Sequence, residues 1–158
     1  MKWRYMQHCC HSLGELWLKK GNPDKALALA DECLKLAEPT SSRKNIVKGW
    51  RLRGQAYLAE GKIEEAEAAL TKALTLAREI GNPPQLWKTY QALGELHERR
   101  PDLEQARSTY ASAVQVIETT AAALRDSSIR QTFLSAKQVA EIRQALGRLS
   151  AYSIPRSD

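Results

Sequence analysis

The stretch WRLRGQAYLAEGKIEEAEAALTKALTL, Trp50 to Leu76, decides the fold. Read as helix, Trp50, Arg53, Gly54 and Tyr57 fall at i, i+3, i+4 and i+7, one face of two turns. Gly61 breaks the pattern. A second periodic run then puts Ala66, Leu70, Ala73, Leu74 and Ala77 on one face. The spacing predicts a hairpin of two amphipathic helices, packed closely because its contact residues include Gly54, Ala66 and Ala73. The same pattern stands 40 residues earlier and 40 residues later.

In the first copy, a helix is expected from about Lys2 to Lys20, with Cys10, Leu13, Gly14 and Trp17 in the places of Trp50, Arg53, Gly54 and Tyr57. Asn22 is the expected N-cap of the next helix and Pro23 its first residue. That helix presents Ala26, Ala30, Cys33, Leu34 and Ala37, and the polar run Glu38 to Ser42 ends it. The third copy follows Gly81-Asn82-Pro83-Pro84 and places Tyr90, Leu93, Gly94 and His97 in the contact positions. Its turn carries Pro101 where the others have Gly21 and Gly61. Proline does not take the left-handed conformation that glycine supplies, so the preceding helix is expected to end early, with Asp102 capping the next. That next helix carries Ala106, Tyr110, Ala113, Val114 and Ile117, to about Leu124.

A tail helix follows caps at Asp126 and Ser127. Ile129, Phe133 and Ala136 form one apolar cluster, and Val139, Ile142, Leu146 and Leu149 form another, turned roughly 120° away. One straight helix cannot bury both, so a kink or break is expected near 135–137. The divisions are therefore hairpins at about 2–38, 42–80 and 83–124, a C-terminal capping segment at 125–152, and a frayed tail at 153–158.

Composition sets bounds on function. With 158 residues, 43% hydrophobic and 27% charged, the chain is long enough for a real core. No run of eighteen apolar residues spans a membrane, and the N-terminus lacks the apolar core of a signal peptide. Cys9, Cys10 and Cys33 show no CxxC spacing and point to a reducing, cytoplasmic setting. The net charge of +6 concentrates in residues 41–80, with 8 basic against 5 acidic groups, and in the tail. No phosphate-binding glycine loop, HExxH or GxSxG motif is present, and no strand is expected to carry one. Catalysis and cofactor binding are not expected. His8, Cys9, Cys10 and His11 look like a metal cluster, but on a helix only His8, His11 and Glu15 share a face, and no second Cys/His pair follows. No metal is expected.

Self-similarity at a fixed period outweighs these signals. Trp50-x2-Arg53-Gly54-x2-Tyr57, then Ala66-x3-Leu70-x2-Ala73, resembles the tetratricopeptide repeat (TPR), and the two other copies match it over about residues 3–124. Gly14, Trp17, Ala26, Trp50, Gly54, Tyr57, Ala66, Tyr90, Gly94 and Ala106 are the signature positions. The resemblance implies an all-α, right-handed solenoid of three hairpins with a C-terminal capping helix. Three features depart from the family. The period is 40 rather than about 34 residues. Arg53 stands where the family has Leu, so its stem must pack while its head reaches water. The tail IRQTFLSAKQVAEIRQAL is not repeat-like and resembles the ends of TPR regions in large bacterial signalling ATPases and cyclase-linked regulators. A C-terminal piece of a longer solenoid, or a small stand-alone relative, fits that ending.

In a TPR superhelix the first helix of each hairpin lines the concave face. That places His8, His11, Glu15 and Lys19 there, then Lys48, Arg51, Gln55 and Leu58, then Lys88, Gln91, Glu95 and Arg99. His8, His11, Lys48, Arg51 and Lys88 would make a basic strip suited to an acidic or C-terminal peptide. The alternative is that these are solvated side chains, with Glu15–Lys19 and Glu95–Arg99 as i,i+4 pairs. The family's carboxylate clamp needs Lys and Asn where His11, Glu15 and Leu52 stand, which argues against chaperone tails. The leading expectation is a non-enzymatic protein-interaction scaffold. Self-association through an uncapped first helix bearing Trp3, Tyr5 and Met6 comes second. Nucleic-acid binding through Arg43, Lys44, Lys48, Arg51 and Arg53 ranks behind both, because no aromatic-basic interleaving supports it.

Overall fold

A computed structural model describes residues 2–151, with side chains from Tyr5 onward. The expectations for Trp3 and for the tail at 153–158 lie outside the described side chains. Among the described residues there are eight helices and no strand: α1 (Lys2–Lys19), α2 (Pro23–Ala37), α3 (Arg43–Ala59), α4 (Ile63–Ile80), α5 (Pro83–Arg99), α6 (Leu103–Ala123), α7 (Ser127–Leu134) and α8 (Lys137–Ala151). The chain divides into two compact units, Met1–Gln85 and Leu86–Asp158.

In the first unit α1 packs on α2, α2 on α3 and α3 on α4. The approach is close because the facing residues are small. A Cβ on Gly54 would lie 2.5 Å from Leu70 Cγ and 3.2 Å from the Ala66 carbonyl. Ala26, Ala30, Leu52 and Ala56 form a fully buried core, with Trp17, Leu18 and Leu27 packed against it. Asn22 accepts from the Lys25 amide at 3.2 Å, with Pro23 beginning α2 as the sequence predicts.

Trp17, Trp50, Arg53 and Tyr57, at the repeat-face positions, are half-buried. Lys25 lies 3.9 Å above the Trp17 ring and Lys72 lies 3.9 Å above the Trp50 ring. Arg53 stacks between Trp50 and Tyr57, with its guanidinium 5.2 and 5.9 Å from the two rings. Its Nε stands 3.4 Å from Asp31 of α2. The stem packs and the head reaches a partly exposed acid, as its departure from leucine requires.

The contact face of α1 differs from expectation. Leu13 is 48% exposed rather than buried. The corresponding face of α3 is covered by α2, with Gly49 against Leu34 and Arg53 against Asp31. The residue that does fill the space beside Gly14 is Leu52, which is fully buried. A buried polar seam also ties three helices. Gln7 Nε2 donates to the Leu36 carbonyl at 2.8 Å and Asn45 Nδ2 donates to Gln7 Oε1 at 2.6 Å. The Cys33 thiol reaches the carbonyls of Gln7 and Asn45 at 3.7 Å, and burial pushes it up to about 11. It is a core hydrogen-bond donor, not a reactive thiol.

In the second unit Trp87, Ala106, Tyr110, Ala113, Ile117, Val139, Ile142, Ala145 and Leu149 share one core. Gly94 lets α5 approach α6, since a Cβ there would lie 2.7 Å from the Tyr110 ring. Asp102 caps α6 by accepting from the Gln105 amide at 3.1 Å. The helix before it, however, does not end early. Lys19, Ala59 and Arg99 each stop two residues before the turn residue, and Pro101 takes φ 27° where Gly21 and Gly61 take 70° and 77°. Continuation of the neighbouring helices overrides proline's own preference, at a cost in backbone strain.

The tail breaks between Leu134 and Lys137, where two apolar faces could not be served by one axis. The two clusters are not buried equally. Val139, Ile142 and Leu149 are buried, whereas Ile129 is 57% exposed and Ala136 is exposed. Only Phe133 and Leu134 of α7 pack on the core. Asp126 caps α7 through the amides of Ser128 and Ile129, at 2.8 and 3.0 Å.

Candidate functional site

The start of α3, the end of α4 and the first residues of α5 surround a cavity of about 590 Å³ in the first unit. Its wall carries His8 from α1, Arg43, Lys44 and Lys48 from α3, and Asn82 and Gln85 from the turn into α5. Arg43 donates to Glu79 at 2.6 Å across an exposed pair. Among the described residues, Lys44 has no carboxylate within ion-pairing distance. Lys48 and His8, 40 positions apart, meet at 3.2 Å between Nζ and Nδ1. The ammonium must donate, so His8 Nδ1 accepts, and the positive charge of Lys48 holds the imidazole below its ordinary value of 6.5.

Arg51, which does not line the cavity, is only 2% exposed. Its Nη1 donates to Gln85 Oε1 at 2.9 Å, and Gln85 itself lines the cavity. Burial pushes the guanidinium down to about 10, opposed only in part by Glu15. No described carboxylate stands within ion-pairing distance of it. Arg51 is thus a buried cation without an adjacent counter-ion, a state that proteins rarely tolerate without a use.

The remaining residues of the strip expected from the sequence occupy different environments. His11 is buried, with Nε2 3.7 Å from Glu15 Oε1. Gln55 is half-buried and its Oε1 finds no hydrogen-bond partner among the described residues. Lys19 is exposed and Leu58 buried. In the second unit, Lys88 lies 5.2 Å above the Trp87 ring. Gln91 donates to Glu95 at 3.2 Å and accepts from Gln138 at 3.0 Å. Burial raises the Glu95 carboxyl, with the Gln91 hydrogen bond opposing it. Arg51 and His11 differ from expectation in facing inward. A 3.6-residue wheel assigns one boundary to each helix, but α3 is covered by α2 and α4 on neighbouring sides, and that widens its buried arc.

Asn82 and Gln85 were not among the binding residues singled out from sequence, and Lys44 was named there only for nucleic-acid binding. Their signal is weak, since they belong to helix starts rather than to the repeat face. Among the described residues no group of three or more His, Cys, Asp or Glu side chains is placed to hold a metal ion. No described helix is long and apolar enough to cross a membrane.

Comparison with solved structures gives the TPR domain of Arabidopsis FLU at TM-score 0.64 and 21% identity, covering 74% of this chain and 98% of that one. BtubC (BKLC) from P. vanneervenii aligns at TM-score 0.70 and 16% identity, covering 92% of this chain and 55% of that one. At these identities the likeness is one of fold. No curated protein matches. The tetratricopeptide repeat family model matches residues 9–79 and 45–119, well over half of the sequence. With three copies of the signature and hairpins packed through Gly54 and Gly94, the chain belongs to the tetratricopeptide repeat family.

Proposed function

We propose that this chain is a non-enzymatic interaction module that binds an acidic peptide or an acidic segment of a partner protein along α1 and α3, the first helices of its first two hairpins. Tetratricopeptide repeats serve protein–protein contact, and the basic second hairpin gives this one a sign preference. The observation carrying the reading is the meeting of His8 and Lys48 beside Arg43 and Lys44 in one cavity, among whose described lining residues there is no carboxylate. A cytoplasmic, reducing setting goes with it, because Cys9, Cys10 and Cys33 are all free thiols. The test is display of random peptides against the immobilised chain. Enrichment of Asp- and Glu-rich peptides supports the reading, and recovery of none, or only of basic ones, overturns it.

A second reading, self-association, has its own observation. Tyr5, Leu13 and Leu16 are 72%, 48% and 44% exposed and lie within about one third of the circumference of α1. Sedimentation equilibrium showing only monomer at high concentration removes it.

A further inference from the structure

The open side of α1 has counterparts elsewhere in the repeat. One period on, the places of Cys9, Leu13 and Leu16 are held by Gly49, Arg53 and Ala56, and α2 covers them. A Cβ on Gly49 would stand 2.8 Å from Leu34, and Ala56 shares a core with Ala26 and Ala30. Two periods on, Thr89, Leu93 and Leu96 hold those places and are buried. On α1 the same face is bare. Met6, Leu13 and Leu16 are 47%, 48% and 44% exposed, and Cys9 is exposed between them. The side chains also differ in kind, with cysteine and leucine on α1 where α3 has glycine and alanine, so a helix lying as close as α2 does not fit. Met6, Cys9, Leu13 and Leu16 follow at intervals of three, four and three residues. That is the a/d spacing of a coiled-coil seam, which holds side-chain knobs between helix axes roughly 8–10 Å apart. Tyr5 and Ser12 flank the seam, so from 5 to 16 this face carries no charged side chain.

We propose that this seam pairs with the α1 seam of a second copy of the chain, the two helices running antiparallel about a two-fold axis. This rests on the self-association reading above and fixes its surface, symmetry and register. The other large apolar residues exposed among those described are Leu103 on α6 and Ile129 on α7, and neither belongs to an exposed apolar run on its own helix. A head-to-tail contact therefore has no acceptor, and the α1 strip finds its like only on another α1, which closes the assembly at two copies. Because the seam is uncharged, pairing sets no like charges face to face, although each chain carries +6. The direction follows from side-chain size. Side by side in parallel, two Cys9 side chains would meet and leave a gap between the bulkier Met6 and Leu13 layers. Antiparallel, Cys9 faces Leu13 of the other copy and Met6 faces Leu16, so small meets large and the layers fill evenly. The exposed parts of Tyr5, Met6, Leu13 and Leu16 amount to on the order of 400 Å² per copy, half of a standard interface, so the pair is weak and reversible.

The experiment uses the full chain. Sedimentation equilibrium at concentrations up to about 1 mM, the range suited to so small an interface, should show a reversible dimer and nothing larger. Leu13→Glu should weaken it by roughly tenfold or more, because a charge enters the seam. Ile129→Glu, a comparably exposed position on α7, should leave it within roughly twofold. Leu13→Ala/Leu16→Ala repeats the test without a charge, should the glutamate disturb α1. The register is read by oxidation with copper phenanthroline. Leu13→Cys should give disulfide-linked dimers, and adding Cys9→Ser should abolish them. The parent should not link through Cys9, because the two copies of it would stand about 6 Å apart along the helix axes. Parent dimers linked through Cys9 overturn the antiparallel register. A dimer that Leu13→Glu and Leu13→Ala/Leu16→Ala leave intact, or that Ile129→Glu weakens equally, overturns the seam while leaving self-association standing. Monomer throughout overturns both and leaves the face to a helix of another protein.

Discussion

Replacing Arg51 with methionine should make the protein more stable. The guanidinium is buried and pushed down to about 10, chiefly by desolvation. At roughly 1.4 kcal/mol per pH unit, that fall corresponds to about 3 kcal/mol of penalty on the charged form. The sign follows from linkage. A cation whose folded pKa is depressed is penalised wherever the unfolded chain would hold its proton, so the cost is fully present below about pH 10 and relieved only above it. Methionine of similar length fills the space without charge. The loss is the hydrogen bond to Gln85, about 1.5–3 kcal/mol for a charged donor. The expected net is a gain of about 1 kcal/mol, in line with the behaviour of buried charges replaced by apolar residues. For a chain of this size that raises Tm by roughly 2–4 °C. Thermal unfolding followed by circular dichroism at pH 7 reads it. Arg51→Ala, which leaves a void, should instead lose about 2 kcal/mol or more. A Tm for Arg51→Met below that of the parent would refute the claim that Arg51 is an under-compensated buried charge.

Other perturbations test the fold and the site separately. Gly94→Ala drives a Cβ to 2.7 Å from the Tyr110 ring, so urea unfolding should show a loss of about 1–3 kcal/mol. Pro101→Gly relieves a proline at φ 27°, and should raise stability by about 1 kcal/mol after the entropy of glycine is counted. Lys48→Met removes the charge that depresses His8, so the imidazole, followed by NMR, should titrate at a higher pH than in the parent. In the parent, His8 disfavours folding progressively as pH falls through 6.5, because the unfolded chain then binds more protons. Lys48→Met should flatten that acid limb.

The hairpins were legible because their determinants are local and repeated. Gly54 and Ala66 recur 40 residues away in both directions, as Gly14 and Gly94 and as Ala26 and Ala106, and one period fixes both helix length and contact face. The caps at Asn22, Asp102 and Asp126 were legible for the same reason, since a cap needs only a side chain within three residues of the amide it binds. The site was only half legible. His8 and Lys48 stand at the same repeat position, so their meeting follows from the period. Arg51 reads from sequence as part of a groove-facing basic strip because a helical wheel does not register how wide an arc two neighbouring helices cover. Asn82, in the turn before α5, and Gln85, in its first turn, reach the cavity through the packing of α3, α4 and the beginning of α5, which no spacing encodes. The polar seam of Gln7, Cys33 and Asn45 escaped likewise, because a buried amide is recognised only when its partners are in place.

The most direct measurement is a crystal structure of the chain with an acidic peptide selected from a random library. The account predicts a carboxylate or phosphate oxygen of that peptide within hydrogen-bonding distance of Lys48 Nζ, with the peptide running along α1 and α3. A peptide bound with its acidic groups in bulk solvent, or seated on α7 and α8 with the cavity unvisited, would contradict it.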